Sequence, residues 1–516
     1  MLTLKKKSFT LVEEIDDKEL YKFLATLEDI VSEYVGFNVS FTVEETEEGG
    51  AVADAHVEFS VGVPTIVQNI GNEILERIAF IIDRSINKYK KLDINVLHNL
   101  PRDLSLSFIF DNYLNLSPWE QYNFIKTIND LRDIGLKTYE NHPVDIGVVY
   151  CKDKKAMEEI ESLDVDIITL SKKKTISQFF LEEKPLLKLI DNKSLAVIVD
   201  DNHIVSGIIR KKTGGKSLSY MFESKYNEWL INDFKNILFP LYGELIEAYN
   251  KKALETTSQD ETEEDIEKYT EEMDLFIEKL RNITDIEKKK ECPNYIYFSL
   301  ENKVVNITTN QNFGITYSNG NWKLKHFNLM ATSIMSLLFS NSIQKLRKTP
   351  IEECRMLIDN LEKGIANLLD IIKNISRNKN SSIFVIISKN AHSTSLSLTE
   401  NDAKQILKKN KFEEHNLTRD FSSIIRKEEN HINISDADHY LIETISAVDG
   451  AVVIDQYLNI VSFGEIISVP EEEVYSDTFG TGTKAARYAS NMGIAIKISE
   501  DGDIYIFSGA KLLLKI

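Results

Sequence analysis

The spacing of apolar positions changes repeatedly along the chain, and each change marks a different kind of element. Val57-Glu-Phe-Ser-Val61 alternates as a half-buried strand does, while Ile74, Ile78, Ile81 and Ile82 recur at helical spacing. Residues 1–105 are therefore expected to form an α+β region, and nothing in them points to chemistry. From 106 to 250 the apolar runs Leu106–Phe110, Ile146–Tyr150, Ile167–Leu170 and Leu195–Val199 read as strands. Between the first two, Ser117-Pro118-Trp119-Glu120 has the form of a helix start: serine at N-cap, proline at N1 and glutamate at N3 to return the capping bond. Alternating strands and helices predict an α/β domain over 106–250.

Residues 251–292 turn acidic and helical. Tyr269, Met273, Phe276, Leu280 and Ile283 fall in steps of four and three, so this stretch reads as an amphipathic linker helix that packs on its own chain or on a second copy. A β-meander follows over 293–348, with strands at Tyr295–Ser299, Val304–Ile307, Phe313–Tyr317 and Trp322–His326, the last entered through the hairpin turn Asn319-Gly320. That segment also carries a helix over 328–347 and reads as the lead into a last domain at 349–516. There, Leu357, Leu361, Ile365, Leu368 and Ile372 predict a helix, and Ile383–Ile387 a strand. The whole is expected to be a multi-domain α/β protein, with a mixed sheet flanked by helices at its C-terminal end.

Composition narrows the classes of function. At 516 residues the chain exceeds one ordinary core, and 42% hydrophobic with 28% charged residues is usual for a globular protein. A net charge of −20 argues against a nucleic-acid polymer as partner, and the runs Lys5–Lys7, Lys172–Lys174 and Lys288–Lys290 lack interleaved aromatics. Cys151, Cys292 and Cys354 form no CxxC, no apolar run follows the charges at the N-terminus, and no window reaches membrane-spanning length. A cytoplasmic location without a membrane partner is expected.

Chemistry concentrates between Asp449 and Glu500. Asp449-Gly450-Ala451 opens a strand running to Asp455: the glycine permits close backbone approach, and the aspartate has the chemistry to hold a divalent metal or a ribose hydroxyl. Gly480-Thr481-Gly482-Thr483-Lys484 precedes a short helix, so its amides, hydroxyls and lysine suit a phosphate. Ser499-Glu500 follows the strand Ile494–Ile498; Glu500 is either a second metal ligand or the start of an ordinary turn. Elsewhere, Asp436-Ala-Asp438-His439 reads as a helix cap, no histidine pair has HExxH spacing and there is no GxSxG. Ala196-Val-Ile-Val-Asp200 echoes Ala451-Val-Val-Ile-Asp455, and each is followed by an Ile-Val-Ser step; chance resemblance of two buried hairpins is the expected explanation, a degenerate repeat the alternative.

The order of these elements resembles the diadenylate cyclase (DAC) domain family over about residues 350–516: a lead helix and strand, a DGA strand, a second strand at Ile460–Gly464, a Gly-Thr loop into a helix, and a strand ending Ser-Glu. The resemblance implies a nucleotide site, with Asp449, Gly450 and Ala451 toward metal and ribose, Gly480, Thr481, Gly482, Thr483 and Lys484 toward phosphates, and Mg or Mn held by Asp449 and Glu500. Where the family carries Arg-His-Arg this chain has Gly482-Thr483-Lys484, which forfeits bidentate phosphate contacts. The expectation is a sensor of ATP or a cyclic dinucleotide with little or no turnover. An active cyclase making cyclic di-AMP from two ATP, with Asp449 catalytic in a homodimer, is the alternative; a non-catalytic scaffold is the second.

Overall fold

The computed structural model describes residues 2–3, 7–11, 17–36, 39–45, 51–59, 75–80, 97–110, 117–212, 216–231, 293–309, 314–318, 320–327, 329–335, 351–387, 432–467 and 479–516, with a few isolated positions between them. The amphipathic stretch expected over 251–292 lies almost entirely outside the described residues. Among the described residues no helix is long and apolar enough to cross a membrane. A small N-terminal sheet joins β1 (Leu2–Thr3), β2 (Lys7–Leu11), β3 (Val39–Glu45) and β4 (Ala51–Phe59), with helix α1 (Asp17–Val35) between β2 and β3.

One expected strand is a helix. Leu106–Phe110 falls within or next to α2 (Leu100–Ile109), whose Leu100, Leu104 and Phe108 are buried at a spacing of four, with Pro101 in the first turn. The serines between its apolar residues imitate strand alternation, but helical burial prevails. The next helix, α3 (Pro118–Gly135), begins where its capping signature stands: Ser117 N–H donates to Glu120 Oε2 at 2.7 Å and Glu120 N–H donates to Ser117 Oγ at 3.4 Å.

After a two-stranded ribbon, β5 (Thr138–Tyr139) and β6 (His142–Pro143), the chain builds an eight-stranded mixed sheet. Its strands are β7 (Ile146–Cys151), β8 (Val165–Thr175), β9 (Leu195–Asp200), β10 (Ile204–Lys211), β11 (Ile296–Glu301), β12 (Val304–Thr308), β13 (Gly314–Ser318) and β14 (Asn321–Lys325). The order is β14-β13-β12-β11-β7-β9-β10-β8. All six residues of β7 are buried, as expected of a central strand covered on both faces. The meander is present, but it does not lead into the last domain: β11 pairs with β7, Tyr297 opposite Val149, so residues 293–325 complete the sheet begun at 146.

Between β10 and helix α5 (Ile351–Arg377) the chain forms helix α4, residues 218–231, and then the meander; a seven-stranded sheet follows α5. It comprises β15 (Ser382–Ile387), β16 (Ile432–Asn433), β17 (Ala451–Ile454), β18 (Asn459–Glu465), β19 (Gly493–Ile498), β20 (Ile504–Ser508) and β21 (Lys511–Lys515), ordered β16-β18-β17-β15-β19-β20-β21. Helices α6 (His439–Ser446) and α7 (Thr481–Ala489) flank it. Asp438 caps α6 by accepting from Leu441 N–H at 3.2 Å, the capping role expected of it.

The two sheets share one path. In each, a central strand (β7, β15) lies parallel to the next (β9, β17), which hairpins antiparallel into a third (β10, β18); a helix (α4, α7) then crosses to an antiparallel strand on the other side of the centre (β11, β19), and a meander continues outward. The sequence echo falls on the same hairpin in both units. Asp200 Oδ1 accepts from the amides of Asn202 (3.0 Å) and Ile204 (2.9 Å), and Asp455 Oδ1 accepts from those of Tyr457 (2.8 Å) and Asn459 (2.9 Å). His203 and Leu458 occupy the same left-handed position, each at φ 65°. The register slips directly after the turn in both. Shared topology, turn and bulge replace the expectation of chance: the echo marks two copies of one architecture.

Helix α5 joins the copies. Its Arg377 pairs with Glu223 of α4, Lys373 donates to Asn227, and Asn227 donates to Asp370. Burial raises the Asp370 carboxyl and lowers the Lys373 amine, each opposed by the charge of the other.

Candidate functional site

Strand register places the sequence motifs at one end of the seven-stranded sheet. Ala451 on β17 lies opposite Ile383 on β15 and Glu465 on β18, and Ile383 lies opposite Lys497 on β19. These four residues form a row across the sheet at the N-terminal end of its two parallel strands. Ala451 and Lys497 are two strand spacings apart, about 10 Å. Helix α7 feeds through a short turn at Ser490–Met492 into the start of β19, so it runs back along that strand and begins near Lys497. The candidate residues 449–451, 480–484 and 497–500 thus share one end of one sheet.

Gly450 and Gly482 each have a measurable reason. Gly450 sits at φ +111°, and a Cβ on it would stand 2.5 Å from the carbonyl carbon of Gly464 and 2.7 Å from the Glu465 nitrogen. Only glycine allows β17 to start against β18 at that separation. Gly482 leaves room for Lys497: a Cβ there would lie 3.2 Å from Lys497 Cε and 3.4 Å from Nζ. Gly480 is the N-cap residue of α7 and no side chain among the described residues caps the helix, so its first amides keep donor capacity at the positive end of the dipole.

Lys497 is 6% exposed, and its Nζ donates to Ser381 Oγ. Burial lowers its pKa, and the carboxylate of Glu500 acts in the opposite direction. Glu500 is therefore within electrostatic reach of Lys497 and Gly482, and it is exposed. Asp449 is exposed, Lys484 half-buried and Thr483 buried; the Lys484 amide makes the first helical bond of α7, to Gly480 O at 3.0 Å. Glu465 is fully buried, with Ser462 Oγ donating to its Oε1. Among the described residues no three His, Cys, Asp or Glu side chains gather in a ready cation site. Asp449 and Glu500 fit a Mg or Mn ion only as one or two carboxylates that complete a shell of phosphate oxygens and water.

The first unit shows the same end closed by its own backbone. There Asp191 Oδ1 accepts from the amides of Lys193, Ser194 and Leu195 at 2.9, 2.6 and 3.1 Å. Burial works against its charge, but these bonds hold the carboxyl below its usual range. The loop so folded turns the carbonyls of Lys193 and Asn192 onto the Leu218 and Ser219 amides, 3.0 and 3.1 Å away, at the start of α4. The Asn192 side chain fills the rest: Tyr297 donates to its Oδ1 at 2.6 Å, and its Nδ2 donates to Ser299 at 3.3 Å and Glu301 at 3.1 Å. Register makes Ser299 the counterpart of Lys497, and Ser194-Leu195 that of Asp449-Gly450.

Motif reading did not find Lys497, which is the most buried cation of this end. Its signal was a lysine at an inward position of the otherwise apolar strand Ile494-Ala-Ile-Lys-Ile498. Comparison with family models, with curated proteins and with solved structures finds no match to this chain.

Proposed function

We propose that the C-terminal unit binds a nucleotide through its phosphates at the start of α7 and acts as a sensor with little or no turnover. The observation that carries this reading is the meeting of a helix N-terminus that no described side chain caps with a buried lysine, Lys497, across the Cβ-free face of Gly482. Helix-start amides and a low-dielectric ammonium group both favour an anion, and their effects add. Lys484 adds charge on the helix itself, while Asp449-Gly450-Ala451 lies across the sheet end, where the DAC resemblance assigns metal and ribose. Gly482 and Thr483 offer no guanidinium or imidazole, so the charge developed in a phosphoryl-transfer transition state lacks the preorganised cations that such chemistry uses. The corresponding end of the first unit is occupied by residues 191–195, so among the described residues only the second unit offers this helix start to a nucleotide. Joining two nucleotides would accordingly require two chains.

Calorimetric titration of the full chain with ATP and with cyclic di-AMP, each with and without Mg²⁺, tests the reading. Saturable binding weakened at least about tenfold by Lys497→Met is expected, the loss of one charge-assisted contact. Absence of binding, or binding indifferent to both Lys497→Met and Asp449→Ala, leaves the scaffold reading instead. Incubation with ATP and Mn²⁺ separates sensor from enzyme: Asp449-dependent release of a cyclic dinucleotide overturns the sensor.

A further inference from the structure

A polar cavity of about 220 Å³ lies where the two units meet. The meander of the first unit supplies one wall, including Asn306, Lys323 and Lys325; the end of α5 and the turn between β19 and β20 supply the other, including Lys379 and Asp503. Four cations, Lys323, Lys325, Arg377 and Lys379, line it with three carboxylates, Glu301, Asp501 and Asp503, and the cations crowd toward one of these. Asp503 is engaged twice, by Lys323 at 3.5 Å and by Lys515 at 3.1 Å. Lys325, only 8% exposed, has a backbone oxygen as its partner instead, Gly502 O at 3.5 Å. Around Asp503, then, three ammonium groups share one carboxylate, one of them, Lys515, from outside the cavity lining. Of the other ionic residues on the wall, Arg377 is committed to Glu223 at 2.5 Å, and Glu301 accepts from Asn192 and Ser299. Asp501 and Lys379 are exposed. A buried ammonium that lacks its own carboxylate carries a desolvation cost that an anion in the adjoining space relieves.

The space also limits the ligand. It is smaller than the roughly 300 Å³ at which pockets for drug-sized molecules begin, so its interior suits a group more compact than a whole nucleotide. Amide and hydroxyl groups line it beside the lysines, with Val304 as an aliphatic exception. We propose that this cavity binds a compact phosphate dianion, either inorganic phosphate or the head of a small phosphomonoester, through Lys323, Lys325 and Lys379. The site is separate from the nucleotide site of α7 and does not depend on it.

The test uses the full chain in chloride buffer at constant ionic strength, titrated calorimetrically with inorganic phosphate and with glycerol 3-phosphate. Saturable binding of at least one of them is expected, and the tighter of the two identifies the source. Lys325→Met should weaken binding at least about tenfold. Lys379→Asn, which removes a charge at the mouth without touching the buried strand, should weaken it several-fold, and Lys511→Met, on the outer strand β21, should leave it unchanged. Lys497→Met should likewise leave it unchanged. Absence of saturable binding at millimolar phosphate overturns the proposal. So does binding that survives Lys325→Met and Lys379→Asn, or that is lost in Lys497→Met, which would return the anion to α7.

Discussion

Arg377 and Glu223 test whether the two units are joined as described. Arg377 closes α5 and Glu223 stands on α4; Nη1 lies 2.5 Å from Oε1, with the side chains 12% and 5% exposed. Two further acids, Asp370 and Glu301, are near enough to contribute to the charge balance of this junction. Arg377→Met removes the one cation bonded to Glu223 among the described residues and leaves its carboxylate buried beside others of the same sign. Breaking a buried pair from one side typically costs about 3–5 kcal/mol. A loss near the upper end of that range is expected, because Lys373 is already engaged by Asn227.

Urea unfolding followed through Trp229 on α4 and Trp322 on β14 reads this junction directly. Glu223→Leu combined with Arg377→Met should recover most of the lost stability, since exchanging a buried ion pair for apolar side chains is often neutral. The coupling between the two changes should reach 2 kcal/mol or more, at the upper part of the range for residues in contact, about 0.5–3 kcal/mol. A loss below about 1 kcal/mol for Arg377→Met, the value of a solvent-exposed pair, refutes the reasoning. So does a double variant no more stable than the single.

Three other changes have defined outcomes. Gly450→Ala forces a Cβ against the Gly464 backbone at a positive φ and should cost more than 1 kcal/mol while abolishing nucleotide binding; Gly480→Ala meets no described atom within 4 Å and should cost less than about 1 kcal/mol, both read by thermal unfolding. Burial pushes the Lys325 amine down from 10.5 to about 8, against the pull of Asp503. Below pH 8 it is charged in folded and unfolded chains alike; between about 8 and 10.5 the folded chain sheds the proton first, so stability rises by about 3 kcal/mol across that window and is lost again as pH falls through 8. Lys325→Met should remove that rise, seen as the difference between variant and parent in urea midpoints at pH 8 and 10. Asn192→Ala strips partners from the buried Tyr297 hydroxyl, Ser299 and Glu301, and should cost about 1–3 kcal/mol in the same assay.

Local elements were legible in the sequence where a single physical rule acts alone. Ser117 and Glu120 form their capping box, β7 and β9 are the apolar runs they looked to be, and the meander strands pair in series. Leu106–Phe110 misled because two periods coexist there and tertiary burial selects the helical one. Membership of the meander was hidden for a different reason: Ile296–Leu300 pairs with Ile146–Tyr150, and periodicity carries no record of so distant a partner. The order of elements around 449–500 was readable, but the part played by Gly482 was not. It depends on where the end of a lysine from another strand comes to rest.

The duplicated architecture separates what the fold requires from what it merely permits. The Asp200 and Asp455 turns recur in both units with the same bonds and the same left-handed residue, so these aspartates belong to the hairpin and to its stability. Asp449-Gly450 does not recur. Ser194-Leu195 holds that place in the first unit, where the strand still pairs with its hairpin partner, Leu195 opposite Arg210. Lys497 is likewise replaced by Ser299, and the first unit then needs Asn192, the backbone of 192–193 and the Asp191 carboxylate to occupy the space and the helix amides. A fold that builds this end both with and without Asp449 and Lys497 does not require either of them, whereas Gly450 is fixed by the close approach of β17 to the Gly464 backbone. The presence of Asp449 and Lys497 in the second unit coincides, among the described residues, with a helix α7 that no side chain caps, the combination on which the proposed anion site rests.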